Sequence, residues 1–381
     1  MPSRSAARVV VAPNALKGSL SPFDAASAIA RGVRAADPNA EVVSLPIADG
    51  GDGTSAVLSA ARGGIARETV VADPLGRPVR ASFALLDGGR TAVLDVATAS
   101  GLALLSVQER DPLVASSRGT GKLISLALDA GVETIILGVG GSATVDGGAG
   151  LLAALGVGLL DDAGAPISSG GAGLARLARV DLSRMHPALS RVKLRVACDV
   201  DSTLLGPHGA ARLFGPQKGA TSEGVREIEQ NLSHFADVIE QSTGRDVRSV
   251  VSGGAAGGIA AGLYGVLNAA LEPGIDLVLE TVGFDQALAG ASLVITAEGL
   301  LDEQSLRNKG PCGVGRWAKR RNVPVIALAG GIADDVRPRD FPDFSGMFSI
   351  CRRPMSLEEA MASAAGLLES AAESVMRVFL T

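Results

Sequence analysis

The sequence predicts an α/β fold with two domains, and three observations lead to this prediction. The chain has 381 residues, which exceeds one typical domain of about 150 residues. Apolar strand patterns alternate with helical patterns at both ends of the chain, as in a parallel sheet. Hairpin signals interrupt this alternation between about residues 67 and 290. We therefore expect a Rossmann-like parallel-sheet domain formed by both termini (1–67 plus 286–381), with a second α/β domain inserted (68–285).

The first elements have clear local causes. Ser21, Pro22 and Asp24 form an N-cap, a first-turn proline and a capping-box acid, so a helix begins there and ends before Pro38. The other elements expected in this part are strands at Val9–Ala12 and Val42–Leu45 and a helix capped by Thr54.

The predicted order of secondary-structure elements changes in the middle of the chain, from strands joined by helices to strands joined by turns. Turn signals join the short strands Glu68–Ala72, Val79–Leu86 and Thr91–Val96, which predicts an antiparallel meander. The later elements alternate between helix and strand. They are helices at Lys122–Ala130, Ala149–Leu155, Ser222–Glu240, Val314–Arg321 and Ser356–Val378, and strands at Thr134–Leu137, Leu194–Ala197, Leu293–Thr296 and Val323–Ala329.

Composition excludes several classes of function. The formal charge is −5 and aromatic residues make up 3%, so neither a basic face nor a stacking platform for nucleic acid is expected. No apolar stretch is long enough to span a membrane, and the first residues lack the apolar core of a signal peptide. Three scattered cysteines and three histidines suit neither disulfides nor a histidine-built metal site. We expect a cytoplasmic protein, monomeric or homodimeric, that binds a small molecule.

Glycine and lysine indicate where the chemistry lies. The chain has 49 glycines, nearly twice the usual share of about 7%. Ligands of parallel sheets bind beyond the carboxyl ends of the strands. In the terminal domain, the residues that follow those ends include two lysines and several acids. They are Lys17, Asp49, Asp52, Glu298, Asp302 and Lys309. Lysine ammonium groups beside glycine amides suit phosphate, and carboxylates suit a hard cation such as Mg²⁺.

The inserted domain repeats this arrangement. Gly138–Gly148 follows one predicted strand, and Asp199 and Asp201 follow another with the spacing that lets two carboxylates share one Mg²⁺. Gly138–Ala143 also matches the dinucleotide fingerprint, although Asp146-Gly147-Gly148 interrupts the helix that should follow. An NAD(P)-linked oxidoreductase therefore stays open as an alternative, as does a non-catalytic two-domain protein that binds a small molecule.

Several sequence blocks resemble the glycerate kinase type 1 family of bacteria. They run in order along almost the whole chain: Pro13-Asn14-Ala15-Leu16-Lys17-Gly18-Ser19-Leu20, Ile47-Ala48-Asp49-Gly50-Gly51-Asp52-Gly53-Thr54, Gly140 to Gly150, Ala197-Cys198-Asp199-Val200-Asp201, Phe214 to Thr221 and Pro273-Gly274-Ile275-Asp276. The resemblance implies ATP- and Mg²⁺-dependent phosphorylation of D-glycerate, with 2-phosphoglycerate as product and the active site in the cleft between two α/β domains. Two positions depart from the family pattern, Ala297 and Asn308, and both place a Cβ where glycine is usual.

Phosphoryl transfer requires charge neutralisation and alignment more than covalent chemistry. With that requirement and the resemblance, we expect catalytic roles for Lys17, Asp199 and Lys309. We expect substrate or nucleotide binding by Asn14, Ser19, Asp49, Gly50, Gly140, Gly141, Ser142, Lys218 and Glu298. The expected metal ligands are Asp52, Asp146, Asp201 and Asp302. The residue types alone do not say which acid is the base.

Overall fold

The computed structural model describes residues 6–51, 53–303, 305 and 309–381. Its strands, in chain order, are β1 (Arg8–Val11), β2 (Glu41–Ser44), β3 (Ile65–Ala72), β4 (Pro78–Leu86), β5 (Thr91–Asp95), β6 (Thr134–Gly138), β7 (Gly158–Leu160), β8 (Arg179–Asp181), β9 (Lys193–Cys198), β10 (Ala270–Pro273), β11 (Leu293–Leu301), β12 (Val325–Ile332) and β13 (Gly346–Ser349). Its α-helices are α1 (Pro22–Ala36), α2 (Thr54–Ala61), α3 (Ala97–Ser100), α4 (Arg118–Asp129), α5 (Ala149–Ala154), α6 (Ala210–Phe214), α7 (Ser222–Thr243), α8 (Ala255–Leu267), α9 (Gly274–Thr281), α10 (Phe284–Ala287), α11 (Gly310–Arg320), α12 (Leu357–Ala362) and α13 (Ala364–Phe379).

The chain divides into two compact units. The first comprises Met1–Asp49 and Ile275–Thr381, and the second comprises Gly50–Gly274. These boundaries differ from the predicted crossings near residues 67 and 285. Helix α2 packs against β4 and β5 of the second unit, so the segment after Asp49 belongs there. Trp317 of α11 donates a hydrogen bond to Asp276, which ties α9 to the first unit.

The first unit is built on a five-stranded sheet in which every neighbouring pair of strands is parallel, with the order β13-β12-β11-β1-β2. Val9 of β1 is in register with Leu293 of β11 on one side and with Val42 of β2 on the other. Because all five strands run the same way, the loops that follow them meet at one edge of the sheet.

Helices α1 and α13 pack together over one face of that sheet. The N-terminus of α1 is the predicted one, since the Ser21 hydroxyl accepts a hydrogen bond from the backbone N–H of Asp24. Gly32 lets the two helices approach closely, because a Cβ there would lie 2.9 Å from the Cβ of Ala372. The close approach buries the apolar stripe of α1, including Ile29 and Val33.

The second unit contains a six-stranded mixed sheet in the order β10-β9-β6-β5-β4-β3. Strands β3, β4 and β5 are antiparallel, as the predicted meander requires, whereas β5, β6, β9 and β10 are parallel. The carboxyl ends of these four parallel strands therefore share one edge of the sheet. The Gly138–Gly148 segment begins at that edge, because β6 ends at Gly138.

Two local predictions differ from the structure. Thr54 is the first residue of α2 rather than its cap, and its hydroxyl donates to the carbonyl of Gly51. The last helix is two helices, α12 and α13, separated at Ser363. No helix in the described ranges combines the length and apolar character needed to span a bilayer.

Candidate active site

A cavity of about 550 Å³ lies at the carboxyl edge of the first unit's sheet. Five of the predicted site residues line it, from the loop after β1, the end of β11, the loop after β11 and the start of α11: Lys17, Ser19, Glu298, Asp302 and Lys309. The structure thus brings together side chains separated by almost 300 positions in the sequence. We call this cavity the lysine pocket.

The loop after β1 is closed by its own backbone. Leu16 and Leu20 exchange hydrogen bonds of 3.0 and 2.9 Å, which leaves Lys17 at the tip of a tight turn. Gly18 has a φ of +77°, a conformation that glycine adopts without strain. The Ser19 hydroxyl donates to the carbonyl of Met361 at 2.8 Å, which fixes the turn against α12. Lys17 itself is exposed, and its ammonium group forms no hydrogen bond or ion pair with the described residues.

Asn14 and Asp49 form a buried pair beside the pocket. The Asn14 amide donates to the Asp49 carboxylate at 3.3 Å, and its carbonyl oxygen accepts from the backbone N–H of Ala15. A Cβ at Gly310 would lie 2.9 Å from the Asn14 amide nitrogen, so Asn14 reaches the first residue of α11. The pair therefore connects the ends of β1 and β2 with the N-terminus of that helix.

Glu298 is the most perturbed carboxyl group of the pocket. Burial, and after it the neighbouring Asp49 carboxylate, raise its pKa from 4.5 to about 7 against the opposing effect of Lys309 and Lys17. The Ser305 hydroxyl lies 3.4 Å from one Glu298 oxygen. Glu298 is thus a partly buried carboxyl group in the same cavity as two lysines, and its charge changes with pH near neutrality.

Asp302 shapes the loop after β11. One of its carboxylate oxygens accepts hydrogen bonds from the backbone N–H and the hydroxyl of Ser305, at 2.9 and 3.1 Å. The departure at Ala297 affects the core rather than the pocket, because this residue is fully buried in the cluster between the sheet and helices α1 and α13. Asn308 and Asp52 lie outside the described residues.

The second unit has its own group of site residues at the shared edge of its parallel strands. Gly50 has a φ of +96°, and a Cβ there would lie 2.7 Å from the carbonyl oxygen of Ala197, at the end of β9. Gly140 donates its N–H to the Gly50 carbonyl at 3.3 Å. The glycines predicted from the sequence therefore bring backbone segments together at this edge.

Asp95 is a buried acid at this edge that the sequence analysis missed. It ends β5 and accepts hydrogen bonds from the backbone N–H of Ser55, at 3.2 Å, and from the Ser55 hydroxyl, at 2.6 Å. A Cβ at Gly138 would lie 2.5 Å from one Asp95 oxygen. The sequence does carry a signal, since an acid follows an apolar strand, but the hairpin signals predict only the meander for β5 and not its parallel pairing with β6.

Lys218 holds the loop that follows β6. Its side chain is only 3% exposed, and its ammonium group donates to the Ser142 hydroxyl and the Thr144 carbonyl, both at 2.8 Å. Burial lowers the pKa of Lys218 to about 7, and the Asp146 carboxylate only partly opposes this shift. In this structure Lys218 and Ser142 are internal to the protein, while Gly140 and Gly141 are the more accessible part of the loop.

This burial predicts a specific pH dependence of stability. Because the Lys218 pKa is lowered on folding, between about pH 7 and 10 the unfolded chain binds a proton that the folded chain does not. Lysine at this position therefore makes the free energy of unfolding rise with pH over that range. Urea unfolding at pH 7, 8 and 9 should show that the wild type gains stability relative to Lys218→Met as pH increases. A stability difference between the two proteins that does not change with pH would contradict this prediction. Lys122→Met, at an exposed lysine, is the matched control.

Asp146 acts as a cap in this structure. It is fully buried, and its carboxylate accepts hydrogen bonds from the backbone N–H groups of Ser117, Gly148 and Gly150 and from the Ser117 hydroxyl. These bonds join the N-termini of α4 and α5. With its oxygens engaged in this way, Asp146 has a structural explanation that needs no metal ion.

The substitution Asp146→Asn distinguishes a capping role of Asp146 from a metal-binding role. An amide nitrogen in place of one oxygen would face backbone N–H groups, so we expect a loss of about 2–3 kcal/mol in the free energy of unfolding. Asp162→Asn, in an exposed loop of the same unit, should change it by less than about 0.5 kcal/mol. Denaturant unfolding measures both. An unchanged stability of Asp146→Asn, together with a raised Mg²⁺ requirement, would restore the metal role.

Asp199 and Asp201 follow β9 at the same edge. Asp199 is partly buried and Asp201 is exposed. Across the described parts of the chain, no three His, Cys, Asp or Glu side chains cluster closely enough to hold a metal ion by themselves. Mg²⁺ in phosphoryl-transfer sites is commonly held by one or two carboxylates together with substrate phosphates, so this pair fits that mode of binding.

The loop after β6 lacks the geometry of a dinucleotide site. In such sites a helix begins directly after the glycine-rich turn and points its N-terminus at the pyrophosphate. Here α5 begins only at Ala149, after left-handed Gly147 and Gly148, and it has six residues. Ala143, the last position of the matching fingerprint, is buried. The structure therefore does not support an NAD(P)-linked oxidoreductase.

Comparison with known proteins gives a consistent result. The model of the glycerate kinase family matches residues 9–380. A glycerate kinase of Bacillus subtilis (strain 168) is 47% identical over 368 residues, covering 97% of this chain and 96% of the relative. A glycerate 2-kinase of Escherichia coli (strain K12) is 44% identical over 357 residues, covering 94% of each chain.

A solved structure is similar over the same length. The crystal structure of a protein from Salmonella typhimurium LT2, provisionally described as glycerate kinase 2, superposes with a TM-score of 0.87. It is 41% identical in sequence, and the match covers 98% of both chains. The sequence and structural comparisons thus agree over nearly the whole length of the chain.

Proposed function

Because this chain belongs to the glycerate kinase family, we propose that it transfers the γ-phosphoryl group of ATP to D-glycerate and forms 2-phosphoglycerate. The observation that carries this proposal is the lysine pocket, where Lys17 and Lys309 lie with a partly buried Glu298 at the carboxyl edge of a parallel sheet. Two cations and one carboxyl group of this kind provide what phosphoryl transfer requires: charge neutralisation and a proton acceptor.

The cationic groups bind and neutralise phosphate in this proposal. Lys17 stands at the tip of its turn, and its ammonium group forms no hydrogen bond or ion pair with the described residues. It is therefore available to an incoming anion. Lys309 occupies the N-cap position of α11, an 11-residue helix with a proline in its first turn. The N–H groups at that end of a helix favour an anion, either a phosphate or the carboxylate of glycerate.

Glu298 is the proposed acceptor of the proton that leaves the glycerate hydroxyl. A base works best when its pKa lies near the working pH, and burial brings the pKa of Glu298 to about 7. Asn14 and Asp49 hold the adjoining loops and the start of α11 in place, which supports the position of the pocket's cations.

Asp199 and Asp201 are the proposed protein ligands of Mg²⁺, which when bound would neutralise charge on the ATP phosphates. Asp52 remains a candidate that falls outside the described residues. We further propose that the enzyme is cytoplasmic and monomeric or homodimeric, with a small molecule as its substrate and neither nucleic acid nor membrane as partner.

An assay of ADP release with D-glycerate tests the function directly. We expect turnover that requires both ATP and a divalent cation, and a product whose phosphate is assigned to C2 by ³¹P NMR with proton coupling. Equal turnover in excess chelator would contradict the metal role. Turnover with phosphate on C3 would contradict only the assigned product.

A further inference from the structure

The first unit has a second cavity, of about 420 Å³, next to the lysine pocket. It lies between α13 and the strands β12 and β13. Its lining is mainly apolar and includes two aromatic rings, those of Phe348 and Phe379, beside aliphatic residues such as Ile326 and Val375. Ile350 and Cys351 line both cavities, so the two are neighbours that share a wall. We call this second cavity the α13 groove.

The groove stays open because of the sheet topology. β13 is the edge strand, and α13 packs towards α1 on the other side. As a result, apolar side chains meet solvent: Phe348 is 49% exposed, Phe379 is 38% exposed and Val378 is 75% exposed. Several hydroxyl groups border the same groove, those of Ser345, Ser349, Ser370 and Ser374. Exposed apolar surface with a few polar groups is typical of a small-molecule site.

We propose that the α13 groove binds the purine base of the nucleotide, while the phosphates extend past Ile350 and Cys351 into the lysine pocket. This inference rests on the proposed kinase function. The two neighbouring cavities match the two ends of a nucleotide, since one is apolar and contains aromatic rings and the other contains lysines. A volume of about 420 Å³ lies within the range of about 300–1,000 Å³ found for small-molecule pockets.

The polar groups of the groove suit this ligand. Phe348 offers a ring on which a planar base can stack, and the serine hydroxyls can donate to or accept from the base edge. Arg352 lies in the same groove, directly after the shared residue Cys351, and donates to the Ser370 hydroxyl at 3.3 Å. Its guanidinium is placed to attract the sugar–phosphate part of a nucleotide.

Equilibrium binding of ADP and of inorganic tripolyphosphate, measured by calorimetry, tests the inference without any turnover. Ser374→Trp places a large ring in the groove at an exposed position of α13, where the native hydroxyl donates a hydrogen bond to the backbone carbonyl of Ser370. We expect about tenfold or weaker ADP binding in this variant, with tripolyphosphate binding unchanged. Phe348→Ala should also weaken ADP binding, by about five- to tenfold, because the stacking surface is lost. Ser374→Ala is the matched control and should bind both ligands as the wild type does.

The outcomes separate the two proposals. If Ser374→Trp and Phe348→Ala both bind ADP as the wild type does, the base site is refuted while the phosphate site stands. A change in sedimentation of Ser374→Trp with unchanged ADP binding would also refute it, because the groove would then be an interface between copies of the chain. If the wild type binds neither ligand, the proposed kinase function fails as well.

Discussion

We expect Lys17→Ala to lower kcat/KM for glycerate by a factor of about 10²–10³, which is the effect of losing one group that stabilises charge in the transition state. Lys17 projects into the lysine pocket from a turn closed by Leu16 and Leu20, and Glu298 and Lys309 line the same cavity. A compact ammonium group at this point can follow the phosphoryl group as charge develops on it. Lys17→Arg should also be impaired, since a planar guanidinium cannot occupy the same position beside Gly18.

Stability separates this catalytic role from a merely solvating one. Lys17 is exposed and has no described partner, so the Tm of Lys17→Ala should equal that of the wild type. The control is Lys122→Ala. Like Lys17, Lys122 is exposed and has a glycine as its neighbour in the sequence, but it lies on α4 of the second unit. Steady-state kinetics on all three proteins decides the matter. Wild-type kcat/KM in Lys17→Ala with an unchanged Tm would show that the residue only solvates its loop.

Glu298→Gln should have the second large effect, a loss of about 10²–10⁴ in kcat at pH 8, the usual contribution of a general base. In the wild type, kcat/KM should fall as pH decreases through about 7, because the base becomes protonated. The charged groups that influence this titration are the Asp49 carboxylate and the ammonium groups of Lys309 and Lys17. The residual activity of Glu298→Gln should lack that pH dependence. Residual activity of Glu298→Gln that still falls as pH decreases through about 7 would contradict the role of base.

The same substitution should stabilise the fold at high pH. Because the Glu298 pKa is raised from 4.5 to about 7, the folded chain retains a proton between these values that the unfolded chain has released. The free energy of unfolding therefore falls as pH rises through this window, and the cost is complete above about pH 7. Urea unfolding should show Glu298→Gln to be more stable than the wild type at pH 8, with the difference largely gone at pH 4.5. Glu358→Gln, at an exposed glutamate of α12, should show neither effect.

The sequence alone determined much of the architecture and the place of the chemistry. The Ser21 cap, the alternation of strands with helices and the hairpin signals are local features, and the structure contains the corresponding elements. Acids and lysines after apolar strands predicted a site at one sheet edge because parallel strands end together. The lysine pocket brings Lys17, Glu298 and Lys309 to such an edge.

Tertiary structure decided what each polar group faces. The sequence predicts that Asp146 and Lys218 face a ligand, yet Asp146 accepts hydrogen bonds from Ser117, the N-cap residue of α4, and Lys218 donates to the loop after β6. Asp95 was missed because its position depends on β5 pairing with β6, which strand patterns do not reveal. Periodicity and capping act over a few residues, so a sequence states them directly. The partner of a buried charge is chosen by packing between distant segments, and the same carboxylate can bind a metal ion or cap a helix according to which backbone N–H groups the fold places beside it.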